Sequence, residues 1–152
     1  FRWNSSRIMT IKKIYIGGTF DLFHYGHVNV FKNLKYQLGS VSKVIAAVNS
    51  DDFASFYKRC PVMDQYERLA VVNSCKYVDY SFIMDSYEKQ AFFIEENNPD
   101  YIVLGSDWKN KDYFKQLCID QQFLDRIGCE IMFVPYTDGI STTDIINRMK
   151  KI

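Results

Sequence analysis

Two imidazoles stand three positions apart in the stretch Gly17-Gly18-Thr19-Phe20-Asp21-Leu22-Phe23-His24-Tyr25-Gly26-His27. The stretch follows a short apolar run and precedes a helical pattern, so it reads as a strand-to-helix turn. At a helix start the first N–H groups have no intrahelical partner, and the helix dipole favours negative charge. His24, His27 and those N–H groups can therefore face one anion. Gly17 and Gly18 admit a ligand close to the backbone, Thr19 can donate a hydroxyl, and Asp21 either caps the turn or contacts the ligand. The chemistry that this combination suits is the binding of a nucleotide phosphate and work upon it. A neutral imidazole donates one hydrogen bond and becomes a full cation where a phosphate raises its pKa. Two histidines could also begin a metal site, but no third ligand stands at a familiar spacing, so no protein-held metal is expected.

The elements that must position this turn alternate along the chain. Ile11 to Gly17 reads as a buried strand, and helical spacing runs from about Gly26 to a stop at Gly39. Lys43 to Val48 is a second strand, Asp51 to Pro61 a polar loop, and Gln65 to Cys75 a helix. Tyr77 to Ile83, Tyr101 to Leu104 and Glu130 to Val134 are further strands, with helices expected over Tyr87 to Asn97, Lys111 to Gly128 and Thr142 to Lys151. Strand–helix alternation with near-continuous apolar strands predicts an α/β, Rossmann-like single domain: a five-stranded parallel sheet with helices on both faces. Ligands of such sheets lie beyond the carboxyl ends of the strands near the topological switch point. Gly17–His27, Asn49–Pro61, Gly105–Lys111 and Pro135–Thr143 all follow strand ends and should converge on one edge.

With 152 residues the chain is long enough for one core, and its 47% apolar content fits a globular protein. Its formal charge of +1 gives no electrostatic footprint for a nucleic-acid or acidic-membrane partner. Twelve Phe and eleven Tyr point to a crowded core and an oligomer contact. Cys60, Cys75, Cys118 and Cys129 form no Cys-x-x-Cys pair, which fits reduced thiols and a cytoplasmic location. No run approaches the roughly 18 apolar residues of a membrane span, and no signal-peptide pattern is visible. Met9-Thr10 looks like a native start, with residues 1–8 an added or disordered extension and the catalytic domain over 9–152.

Gly18-Thr19-Phe20-Asp21 followed by His24-Tyr25-Gly26-His27 resembles the signature of the HxGH nucleotidyltransferase superfamily. Gly139-Ile140-Ser141-Thr142-Thr143 resembles the Gly-Ile-Ser-Thr-Ser/Thr motif of its cytidylyltransferase branch. The small size and Gly105-Ser106-Asp107-Trp108 are most similar to the glycerol-3-phosphate cytidylyltransferases, while Lys58 with Val62-Met63 and Glu67-Arg68 is similar to the choline- and ethanolamine-phosphate enzymes. The resemblance implies CMP transfer from CTP to a small phosphorylated alcohol, with in-line attack on the α-phosphorus and loss of pyrophosphate. It assigns His24, His27 and Lys58 to catalysis. Gly18, Thr19, Phe20, Asp21, Gly26, Asp107, Tyr136, Thr137, Gly139, Ile140, Ser141 and Thr142 would bind the nucleotide. Lys58, Arg68 and Trp108 would meet the acceptor.

The resemblance also implies Mg²⁺ carried by the nucleotide, and a homodimer. Residue by residue, other roles remain open. Lys58 could be a solvated charge, with Arg59 in its place; Arg68 could form a salt bridge on its helix; Ser141 could be an N-cap as well as a phosphate ligand. Relatives commonly carry Arg-Thr-Glu before the second motif, where this chain has Tyr136-Thr137-Asp138, which leaves the acceptor open among polyol, amino-alcohol and phosphonate groups. An ATP-dependent adenylyltransferase and an inactive nucleotide-binding module are the alternatives.

Overall fold

A computed structural model describes residues 10–152, so the expected extension over residues 1–8 lies outside the described residues. Five strands, β1 (Lys13–Gly18), β2 (Lys43–Asn49), β3 (Tyr80–Met84), β4 (Tyr101–Gly105) and β5 (Glu130–Val134), form one sheet in the order β3-β2-β1-β4-β5. Every pairing is parallel, with Ile14 opposite Val44 on one side of β1 and opposite Tyr101 on the other. The expected parallel sheet is thereby borne out. The chain builds outward from β1 through β2 to β3, then returns to start β4 on the other flank of β1. The switch point lies between β1 and β4, and the two-histidine turn leaves β1 there.

Successive strand residues point to opposite faces, and the core divides accordingly. Ile14, Ile16, Val44, Ala46, Val48 and Val103 are buried with Phe31 and Leu34 of α1 (Tyr25–Leu38) and Val72 of α3 (Gln65–Asn73). Tyr15, Ile45, Ala47 and Ile102 are buried on the other face. There they meet Phe53 of α2 (Asp51–Tyr57), Ile94 of α4 (Gln90–Asn97), Leu117 of α5 (Tyr113–Leu117) and Leu124 of α6 (Gln121–Ile127). Each of the Val, Ile, Leu and Phe side chains contributes about 1.5–3 kcal/mol on burial, and together the two layers fix the plane from whose edge the site is built.

Three boundaries differ from the expectation. Asp51 to Pro61 is not all loop: α2 forms because the Ser50 hydroxyl accepts from the Phe53 N–H at 3.1 Å, and Asp51 and Asp52 sit in the first turn, where the dipole favours them. The helix expected over Lys111 to Gly128 is two short ones behind a 3-10 turn at Ser106–Asn110. Cys118 takes a left-handed conformation (φ 54) that ends α5, and Asp120 caps α6 by accepting from the Phe123 N–H at 2.7 Å. Strand β3 starts at Tyr80, because the Asp79 carboxylate pairs with Lys35 and accepts from the Val44 N–H at 2.8 Å. The last helix, α7 (Thr142–Met149), follows β5 as expected.

Candidate active site

His24 is the N-cap of α1, in extended conformation, and its Nδ1 accepts from the Gly26 N–H at 3.0 Å. Nδ1 of His27 reaches back and accepts from the His24 N–H at 3.2 Å. The pair is thus a reciprocal cap in which imidazoles replace the usual hydroxyl and carboxylate. A backbone N–H can only donate, so each Nδ1 presents its lone pair and each neutral ring carries its proton on Nε2. The rings stack with centroids 3.9 Å apart and planes inclined by 26°. His27 also stacks on Phe23 at 5.2 Å, and Phe20 meets it edge-on at 5.6 Å.

These surroundings hold the imidazoles neutral. Burial, with the neighbouring His24 second, depresses the His27 pKa to about 3, and the Asp21 carboxylate only partly opposes this. Burial and then Arg148 lower the pKa of His24, while Asp144 opposes them. Both rings therefore enter neutral pH as paired Nε2–H donors rather than as cations. Gly26 is required between them, because a Cβ there would lie 2.9 Å from Cε1 of His24 and 3.3 Å from Cγ2 of Ile140.

Ile140 belongs to the second motif, which the fold brings against the first. Thr142 Oγ1 donates to the Asp21 carbonyl at 3.0 Å, joining positions 121 residues apart. Asn29 Nδ2 of α1 donates to Thr137 Oγ1 at 3.1 Å. Ser141 caps α7, accepting from the Asp144 N–H at 3.0 Å and donating to the Asp144 carboxylate at 2.7 Å. Two helix starts, each the positive end of a helix dipole, thus stand side by side beyond β1. That is an anion-binding arrangement before any ligand arrives.

Two charged residues from the first motif and its surroundings turn inward. The Asp21 carboxylate accepts from the N–H groups of Val62 and Met63, both at 3.0 Å, and from Leu22 at 3.1 Å, and pairs with Arg59 at 3.0 Å. Burial alone would raise its pKa, but these donors together hold it below the carboxylate range. Of the two roles open to Asp21, the geometry gives the structural one: its side chain straps the segment after α2 to the histidine turn. Arg68 is fully buried. Its guanidinium donates to the carbonyls of Thr19 (2.6 Å), Asn49 (2.7 Å) and Met63 (3.0 Å) and pairs with Asp51 at 2.7 Å. It locks together the chain leaving β1, the chain leaving β2 and the start of α3. With no exposed surface it is a positioning residue, which corrects the acceptor-phosphate role given to it from sequence. Lys58, at the end of α2, is exposed and without a salt bridge among the described residues, whereas Arg59 is committed to Asp21.

A third group forms beyond β4 and β5. The Tyr136 hydroxyl donates to one Asp107 oxygen at 2.7 Å, and Lys111 Nζ lies 2.6 Å from the other. Lys111 also lies over the Trp108 ring, 5.1 Å from its centroid. Burial favours protonation of Asp107, but Lys111 and Tyr136 outweigh it and hold the carboxyl ionised below its usual range. Sequence reasoning named Asp107, Trp108 and Tyr136 but missed Lys111 and Asn29. The four-residue step from Asp107 was a visible cue for Lys111; nothing local marked Asn29. Among the described residues no group of three His, Cys, Asp or Glu side chains could hold a metal ion, so the donor set does not fit a protein cage for Mg²⁺.

Paired helix starts, neutral imidazole donors and a site at the switch point define a phosphate-handling transferase of the Rossmann-like class. A family model described as cytidylyltransferase-like matches residues 15–148, and the chain belongs to that family. It is 34% identical over 137 residues to the glycerol-3-phosphate cytidylyltransferase of Bacillus subtilis (strain 168), covering 89% of this chain and 95% of that protein. It is also 34% identical over 145 residues to a probable ethanolamine-phosphate cytidylyltransferase of Encephalitozoon cuniculi (strain GB-M1), covering 91% of this chain and 41% of that one. Among solved structures, a lipopolysaccharide core biosynthesis protein from Thermoplasma volcanium GSS1 is similar with TM-score 0.64 and 26% identity, over 84% of this chain and 97% of that chain.

Proposed function

We propose that this protein transfers CMP from CTP to a small phosphorylated alcohol. An acceptor phosphate oxygen bonds to the α-phosphorus as the bond from that phosphorus to the β-phosphate bridging oxygen breaks, giving a CDP-alcohol and pyrophosphate. The observation that carries this reading is the reciprocal histidine cap. It leaves two fixed Nε2–H donors beside the starts of α1 and α7, where they can stabilise the charge that builds on the phosphoryl oxygens. Lys58 is the cation free to draw in the acceptor phosphate. Relatives named for glycerol-3-phosphate and for ethanolamine-phosphate support a phosphorylated alcohol. Magnesium enters as the counter-ion of the nucleotide's own phosphates. A homodimer belongs to the same proposal and is checked by sedimentation velocity. So does a cytoplasmic location, with which four unpaired cysteines accord.

The test holds CTP and magnesium fixed and varies the acceptor across glycerol-3-phosphate, ethanolamine phosphate, choline phosphate, other polyol phosphates and phosphonates, reading pyrophosphate release. One acceptor should stand out; release with none of them, or release with ATP alone, overturns the reading. His24→Asn keeps a good capping acceptor but no imidazole, so turnover should drop about a hundredfold at nearly unchanged thermal stability.

A further inference from the structure

Tyr136 is held at two points and is otherwise open. Its hydroxyl is tied to Asp107, which Lys111 fixes in turn. Its phenol end lies directly over Gly105 at the end of β4: a Cβ on Gly105 would come within 2.1 Å of the hydroxyl oxygen and 2.4 Å of Cζ. Yet the residue as a whole is 61% exposed. An aromatic side chain whose polar tip is anchored while its body meets solvent is a preorganised flat surface with its rotamer entropy already lost. The next residue, Thr137, is bonded to Asn29, two residues beyond His27 on α1. The ring is therefore coupled in position to the phosphate end of the site.

The direction of the ligand follows from the fold. Phosphates belong at the starts of α1 and α7, beyond β1. On one flank, beyond β2, stands Lys58, the cation for the acceptor. The nucleoside has the other flank, beyond β4 and β5, where the 3-10 turn and the loop after Pro135 end. We propose that Tyr136, clamped by Asp107 over the Gly105 gap, is the platform on which the nucleobase stacks. This rests on the transfer reading above and assigns to the phenol the base end of the nucleotide, not its phosphates. Burial and the adjacent Asp107 carboxylate keep the phenol protonated, so the anchoring bond persists across the working pH range.

Calorimetric titration with two probes tests this: CTP, and inorganic tripolyphosphate, which carries the charge without a base. Tyr136→Ala should weaken CTP by about 5- to 100-fold, the range for losing one base–aromatic stack, and leave tripolyphosphate unchanged. Tyr136→Phe, which keeps the ring and loses the anchor, should fall between. Gly105→Ala, which pushes an intact ring off its seat, should weaken CTP without weakening tripolyphosphate. If CTP binding in Tyr136→Ala equals wild type, or if both probes weaken in parallel, the platform is overturned while nucleotidyl transfer stands. If wild-type protein binds neither probe, the transfer reading falls and takes the platform with it.

Discussion

The reciprocal cap gives His27 one duty towards the helix, and the proposed function gives it another towards a phosphate. Both require the neutral ring, since a proton on Nδ1 would abolish its bond to the His24 N–H. Unfolded, His27 would titrate near 6.5; folded, it titrates at about 3. Between those values the unfolded chain holds a proton that the folded chain refuses, so stability is complete above the upper value and drains away as pH falls towards the lower one. His27→Gln keeps an acceptor at the same capping position and cannot titrate. Urea midpoints at pH 7 and pH 4.5 should therefore drop further in wild type than in His27→Gln; equal drops would show that the ring is not held neutral. The residue types and spacing of this pair were legible in the sequence. Their tautomer was not, because it depends on which nitrogen meets a backbone N–H in three dimensions.

At the scale of elements, the helices and loops around the site are braced from inside by two buried charges. Arg68 gathers three carbonyls and a carboxylate from four segments, and Asp21 gathers three N–H groups and Arg59. Arg68→Met fills similar space but strands the carbonyls of Thr19, Asn49 and Met63, and each buried polar group so orphaned costs about 1–3 kcal/mol. Unfolding free energy should fall by roughly 3 kcal/mol or more in denaturant titration, and activity should fall with it, because the turn before His24 loses its anchor. A loss below about 1 kcal/mol would mean that the loops hold themselves. From sequence, Arg68 could equally be a phosphate ligand or a surface ion pair. What separates these is total burial, which local spacing on a helix cannot reveal. The missed α2 is a different case: Ser50-Asp51-Asp52 was a readable helix start, masked by the polar composition around it.

For the whole molecule, the parallel sheet and its layer arrangement followed from alternation and parallel-sheet rules, and so the convergence of four loops on one edge was predictable; the strand order came only with the structure. The distribution of stability over the fold was not. Helix α7 contributes no fully buried residue, while α1 buries Gly26, Phe31 and Leu34. A helix held mainly by its cap and by the Thr142 bond opens at little cost. The proposed function seats nucleotide phosphates against the starts of both helices; CTP at about a hundred times its dissociation constant should then stabilise the fold by about 2.7 kcal/mol. Hydrogen exchange should slow most in α7, out of proportion to the sheet. Uniform slowing, or slowing confined to α1, would remove α7 from the binding site.

The bond from Thr142 to the Asp21 carbonyl also has a meaning in time. Its partners are 121 positions apart, and a ribosome adding about 5–20 residues per second separates their appearance by roughly 6–24 s. All five strands are complete by Val134, so the sheet can assemble while its catalytic edge still lacks one wall. During synthesis the emerging polypeptide is thus a folded scaffold with half an anion site. On the proposed function, the two helix starts can face one triphosphate only once Thr142 and the helix it opens have been made.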